Sequence, residues 1–374
     1  MKTTNRSLEG LRGMAALLIM LLHMGLLSRF SGVIRNGYLA VDLFFVLSGF
    51  VICSAYADRL KTGRDIRRFV VRRIGRLWPL HIATAILFYV IGGLPLMLAL
   101  KGIYAPTVVQ ALSIVTLTQG FNLFDHSIGN PSAWSIGDEF YVYLLFAGIC
   151  LIVRSRTQIA FAFASAAVLG LAVAVYVDAG SCMHNPPFMD LYISFGWARC
   201  LAGFFVGTLV ALSRNHLQLL AAPYAQIAMA VATPVFIAST SEFPLAAFGA
   251  PFVFALLIAS LISDRGPLAA LLQTPLMQYL GSVSYSLYLG HSLCVLPLAG
   301  WLLHGKSGIG YQLSGGIAFF CASFALTHLL HRHVEIRFRD RIYAWADSGV
   351  NHHLSPPPAS CPEDRSGRTG ASAR

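Results

Sequence analysis

Apolar stretches of about eighteen residues or more recur along the chain, each closed by a short polar or basic stretch. Runs of that length read as helices that cross a bilayer, whose hydrocarbon core takes about 20 residues of helix. The pattern predicts ten spans: about Leu8–Leu27, Tyr38–Tyr56, Leu77–Leu100, Trp134–Val153, Ile159–Val177, Gly196–Leu212, Leu219–Ala238, Leu245–Ile262, Gln278–Leu303 and Tyr311–His331. Pro106–Phe121 is only moderately apolar and short for a crossing, so it reads as an interfacial or re-entrant segment. From Asp347 onward, Pro356, Pro357, Pro358 and small polar residues replace the apolar pattern. The expected organisation is an all-α integral membrane protein: a bundle of about ten transmembrane helices in residues 1–346, then a disordered cytoplasmic tail over 347–374.

Composition agrees with the pattern. Of 374 residues, 56% are hydrophobic and 11% charged, too few charges for the surface of a soluble domain of this length. A net charge of +11 would suggest nucleic acid in a soluble chain. Here Arg59, Lys61, Arg64, Arg67, Arg68, Arg72, Arg73 and Arg76 crowd between the second and third spans. By the positive-inside rule that stretch is cytoplasmic, both termini are cytoplasmic, and no nucleic-acid partner is expected. Lys2, Arg6 and Arg12 precede an apolar run as in a signal peptide, but no small-residue cleavage site follows, so the run reads as a retained helix. Seven cysteines include no CxxC pair, and no metal site is expected.

Ionisable residues inside spans are costly and are functional candidates. Arg12 and His23 are eleven positions apart on the first span, hence within about 20° of one face and about 16 Å apart along the axis. The alternative is an arginine snorkelling to headgroups and a histidine in a core polar contact. Asp42 falls near the level of His23 and is placed to orient its imidazole, or else to form a structural ion pair, for instance with Arg35. Trp134, Ser135 and Glu139 open the fourth span and Arg199 the sixth, where Glu139 and Arg199 could simply pair. Ser284, Tyr288 and His291 share one face of the ninth span beside Tyr285; for the hydroxyls, helix packing is the competing role. Arg72, Arg73 and Arg76 at a helix start suit phosphate clamping, anionic headgroups or topology alone.

These motifs together resemble the acyltransferase-3 family of membrane O-acyltransferases. The resemblance runs from Leu8 to Glu335: Arg12 and His23 in LEGLRGMAALLIMLLH; Asp42, Ser48 and Gly49 in GYLAVDLFFVLSGFVI; Arg73, Arg76 and Pro79 in RRIGRLWP; Trp134, Ser135, Glu139 and Tyr143 in WSIGDEFYVY; and Ser284, Tyr285, Tyr288 and His291 in LGSVSYSLYLGH. The chain departs from the family at Glu335, which is followed by Ile336 and Arg337 where the family often closes its last span with Glu-x-Pro, and where Asp138 precedes Glu139.

The resemblance implies a bacterial-type inner-membrane enzyme that takes an acyl group, commonly acetyl, from cytoplasmic acyl-CoA to a glycan hydroxyl on the far side. Acetyl-CoA is then a co-substrate, and no permanently bound cofactor is implied. His23, Asp42, Glu139 and His291 become catalytic candidates. Arg12, Arg73, Arg76, Ser284 and Tyr285 become donor-binding candidates, and Trp134, Arg199 and Tyr288 acceptor-binding ones. His23 is expected as general base with Asp42 or Glu139 holding its tautomer, an acyl-histidine being the competing route, and His291 or Tyr288 as oxyanion donor. Partners are the donor, the glycan, membrane lipids and separate glycan-assembly proteins. The alternative class is a proton-coupled transporter, which intramembrane His, Asp, Glu and Arg also build.

Overall fold

The computed structural model describes residues 5–25, 27–92, 106–181, 188–191, 195–303 and 308–351. Among these the chain forms helices and turns, with no strand. The longer helices are α1 (Arg6–Met24), α2 (Ala40–Tyr56), α3 (Gly63–Gly92), α4 (Val108–Thr116), α5 (Trp134–Ile152) and α6 (Arg156–Ser181). They continue as α7 (Gly196–Leu212), α8 (Pro223–Ser239), α9 (Ala250–Ser260), α10 (Pro275–Leu303), α11 (Ile309–Leu330) and α12 (Ile336–Asn351).

The chain is an all-α membrane protein. Among the described residues six stretches are long and apolar enough to cross a bilayer: α1, α2 with its preceding turn, α3, α5, α6 and the rod made by α11 and α12. Helices α7, α8 and α9 are apolar but shorter, and α10 runs 29 residues. The structure redraws several expected boundaries. The basic stretch expected as a loop is helical from Gly63, so Arg64 to Arg76 lie within α3. The last part of the expected third span, 93–100, lies outside the described residues. The 106–121 segment holds the nine-residue α4, about 14 Å long and less than half a bilayer core. It starts at a Thr107–Gln110 capping box and stops at Leu117 in the left-handed conformation. Trp78 and His81 of α3 pin it by bonding the Val115 and Ile114 carbonyls at 2.9 Å each. Helix α12 continues to Asn351, past the expected tail boundary at 347; residues 352–374 lie outside those described.

Two pairs of helices frame the site. Helix α1 packs along α10, and α2 along α7. Both contacts depend on missing side chains: a Cβ on Gly13 would meet the Gly281 backbone, and one on Gly49 would collide with the Phe204 carbonyl. Without a hydrophobic drive between helices in lipid, such close backbone approach supplies the dispersion contact that joins them. The start of α1 is fixed by Asp264, which accepts from the Arg6 and Ser7 amides at 3.1 and 2.8 Å and satisfies donors a helix N-terminus leaves open. Rods α11 and α12 meet through a π-helical turn at His331–Glu335, a widened turn of the kind often found at functional sites.

Candidate active site

Two cavities, each about 690 Å³, lie along the bundle. The first is lined by Arg12, Arg73, Arg76, Glu139, Tyr285 and, from α12, Arg339 and Tyr343. The second is lined by His23, Arg35, Asn36, Trp134, Asp190 and Arg199. Arg12 and His23, neighbours on one face of α1, therefore open into different chambers.

The expected clamp arginines differ in what they hold. The Arg73 guanidinium lies over the rings of Tyr56, Phe69 and Tyr143 at 5.7, 5.7 and 5.8 Å. No described carboxylate forms an ion pair with it, so its charge is available to an anion in the first chamber. Arg12 makes a loose contact with Glu9, at 3.7 Å. Arg76 is already engaged. It pairs with Glu335 and sits over the Tyr285 ring at 5.2 Å. Glu335 also accepts from Ser286 Oγ at 2.7 Å and contacts His331 Nδ1 at 2.9 Å. The π turn aims Glu335 inward to close this network, so Arg76, expected as a donor-binding residue, lines the first chamber with one guanidinium nitrogen already paired. Tyr285 donates to the Leu77 carbonyl at 2.7 Å, and Ser284 to the Gly281 carbonyl at 2.8 Å, so both hydroxyls bond backbone while their residues line the first chamber.

Asp42 does not orient His23. Fully buried, it receives Arg199 through Nε at 2.8 Å and Nη2 at 2.7 Å, while Nη2 also reaches the Tyr38 carbonyl at 2.9 Å. A planar guanidinium fork fits a carboxylate in just this two-point way, and the pair joins α2 to α7. Neither the Asp42–Arg35 nor the Glu139–Arg199 pair forms. Glu139 faces the first chamber and accepts from Ser48 Oγ and from Tyr143 Oη, the latter at 2.5 Å. It therefore holds no histidine tautomer either.

The tautomer of His23 is set by its own helix. His23 Nδ1 lies 2.8 Å from the Ile19 carbonyl, one turn back. A carbonyl only accepts, so Nδ1 carries the hydrogen and Nε2 of the neutral ring keeps a bare lone pair. His291 repeats the arrangement with the Leu287 carbonyl at 3.0 Å, and its buried Nε2 has no partner. The two rings lie 4.9 Å apart, so the sequence-distant histidines do meet. With its hydrogen committed at Nδ1, neutral His291 has no donor at Nε2 and cannot supply the expected oxyanion contact. Tyr288, whose hydroxyl is 2.8 Å from Ser135 Oγ, is the remaining candidate donor.

The geometry brings in residues that the motifs did not single out as site residues. Ser48 and Tyr143 stand inside the quoted motifs and hold Glu139. Asp190 lines the second chamber from a loop, and a lone loop aspartate carries no sequence signal. Burial raises its pKa, and the charge of Arg199 opposes that rise without cancelling it. No cluster of three metal-binding side chains exists among the described residues.

Residues 5–328 match the model of the acyltransferase-3 family, described as an acyltransferase domain. The chain belongs to this family. The acyltransferase-3 match takes in both chambers as far as α11, and Glu335 and α12 lie beyond it. A protein of Staphylococcus aureus strain COL, provisionally named an O-acetyltransferase, is 23% identical over 362 residues, which is 89% of this chain and 57% of its own length. A Bacillus subtilis protein provisionally named a peptidoglycan O-acetyltransferase is 26% identical over 317 residues, 76% of this chain and 47% of its own. A Rhizobium radiobacter protein, named protein 2 in the picA locus, is 41% identical over 93 residues, 23% of this chain and 48% of its own. The chain thus spans about half the length of these relatives. No solved structure matches it.

Proposed function

We propose that the chain is a membrane O-acyltransferase that moves an acyl group, acetyl first of all, from cytoplasmic acyl-CoA to a hydroxyl of an extracytoplasmic or lipid-linked glycan. Family membership and the names of the relatives support acyl transfer. The observation that carries the reading is the bare Nε2 of His23, in a chamber separate from the one that holds Arg12 and Arg73.

The basic start of α3 faces the cytoplasm of a bacterial-type inner membrane in this reading, with both termini on that side. Donor phosphates rest against Arg73 and Arg12. The pantetheine arm extends over the roughly 16 Å that separates Arg12 from His23 along α1. Glu139, held by Ser48 and Tyr143, and the Tyr285 ring line the arm's path. The acceptor enters the second chamber, where Asn36, Trp134, Asp190 and Arg199 offer polar and aromatic contacts to a sugar. Separate glycan-assembly proteins supply it.

His23 Nε2 then takes the proton of an acceptor hydroxyl as that oxygen attacks the thioester carbonyl carbon. The carbonyl electrons move onto oxygen, where Tyr288 Oη is the candidate donor. Collapse of the tetrahedral species breaks the C–S bond, and the thiolate leaves with the proton from the His23 imidazolium. His291, packed on His23, keeps the ring in place. Asp42 and Arg199 act by joining α2 to α7 beneath the acceptor.

The test is acyl transfer from labelled acetyl-CoA to glycan in membranes bearing His23→Ala. The expected result is a fall in rate of about 10²–10⁴-fold, the usual contribution of a general base. Full transfer in that variant sinks the proposal. A labelled acyl adduct on the histidine, trapped in the absence of acceptor, turns it to the covalent route.

A further inference from the structure

The two chambers adjoin through shared lining residues. Val41 of α2 and Tyr288 of α10 line both. On α5 the change happens between consecutive residues, with Trp134 in the second chamber and Ser135 in the first. Three helices thus hand over from one chamber to the other at a single level. At that level Tyr288 Oη and Ser135 Oγ are 2.8 Å apart. The Tyr288 ring meets Phe44 edge-on at 5.8 Å, and the His291 ring lies 6.2 Å from it, tilted.

We propose that the Tyr288–Ser135 hydroxyl pair is the constriction that controls passage between the chambers, closed in this structure and opened when the Tyr288 ring turns aside. A cation paired with a carboxylate would make a costly closure to break. The bond here joins two neutral hydroxyls, and water or an entering carbonyl replaces it at little loss. The backing is a single side chain packed against Phe44 and His291, and turning one side chain is a smaller and faster motion than displacing a helix. A closed septum keeps water and ions from crossing at rest. An opening one admits a narrow chain from Arg73 toward His23, and it frees Tyr288 Oη beside the place where a thioester carbonyl would stop. This last role rests on the proposed function; the septum itself does not.

The test uses the full chain in a cysteine-free background, reconstituted in sealed vesicles of both orientations. Leu22→Cys reports on the second chamber and Ser282→Cys on the first, since those positions line one chamber each. The probe is a charged, membrane-impermeant methanethiosulfonate. With Tyr288 intact, each cysteine is expected to label from one face only, and from opposite faces. Tyr288→Ala should make Leu22→Cys label from both. Tyr288→Phe, which keeps the ring and drops the bond, should raise the far-face rate about three- to ten-fold, the range one neutral hydrogen bond supplies. Unchanged Ser282→Cys labelling from its own face reports that the variants fold. Equal labelling of Leu22→Cys from both faces with Tyr288 intact overturns the proposal. So does one-faced labelling in folded Tyr288→Ala. Full acyl transfer in folded Tyr288→Phe alongside the expected labelling counts against Tyr288 Oη as the oxyanion donor of the proposed function and leaves the constriction standing.

Discussion

Truncating Arg76 to alanine removes the counter-charge of Glu335, a carboxylate only 2% exposed. Breaking one side of a buried ion pair costs about 3–5 kcal/mol, because the survivor stays charged and desolvated. Ser286 and His331 still contact Glu335, which holds the loss toward the lower end, about 3 kcal/mol. Arg76→Ala/Glu335→Ala, which removes both charges, should recover most of that loss. Arg73→Ala should behave in the opposite way. Its guanidinium leaves no carboxylate behind, so stability changes little. Each phosphate contact it makes is worth about 1.5–3 kcal/mol, so the Kd for CoA should rise about 10- to 150-fold. Equilibrium unfolding in mixed micelles and calorimetric titration with CoA measure the two quantities separately. If Arg76→Ala were as stable as the parent and lost CoA binding to the same degree as Arg73→Ala, the division of labour drawn from the Glu335 pair would be wrong.

Gly49→Leu should disrupt the α2–α7 contact, since its side chain would run into the Phe204 carbonyl; overpacking of this kind costs about 1–3 kcal/mol or more, and a sharply lower folded fraction in detergent is expected. Asp264 gives a pH dependence outside the spans. Burial raises its pKa, but bonds from Ser7, the Arg6 amide and Gln273 outweigh this and leave it lowered from 3.8. A lowered folded value contributes stability above the unfolded pKa and loses it as pH falls through the folded one. The parent should therefore lose stability more steeply than Asp264→Asn in acid below the unfolded value, and parallel acid-unfolding curves would contradict this. Asp190, raised by burial, gives the opposite case. The acceptor KM should climb as pH falls toward its raised pKa, and Asp190→Asn should flatten that slope with KM about tenfold higher throughout. A slope retained in Asp190→Asn would exclude the residue from acceptor binding.

Hydropathy, charge and motif order read along the chain were enough to indicate a helical membrane bundle and its family, and they singled out Arg12, His23, Arg73, Glu139, Tyr288 and His291 as candidates. These are properties of residue type and spacing. An apolar run must bury itself in lipid wherever its neighbours lie, and an eleven-residue interval fixes one helix face. Boundaries were less legible where a polar stretch is also a good helix former, as in α3 ahead of Leu77 and in α12. The pairings were not legible at all. Asp42 looked like the partner of His23 because their levels match, yet level says nothing about azimuth, and α7 presents Arg199 to the face of α2 that carries Asp42. The carboxylate that occupies Arg76 comes from 259 residues further along and is aimed by a π turn that no spacing rule announces. His23 takes its tautomer from the Ile19 carbonyl, a backbone atom that every helix contains and no motif encodes. Residue identities along the helices determined which charges enter the membrane. Only the packing of α2 on α7, and of α3 on the turn between α11 and α12, decided which of them remain free, because a buried charge is paired or available according to what the neighbouring helix places within about 4 Å of it.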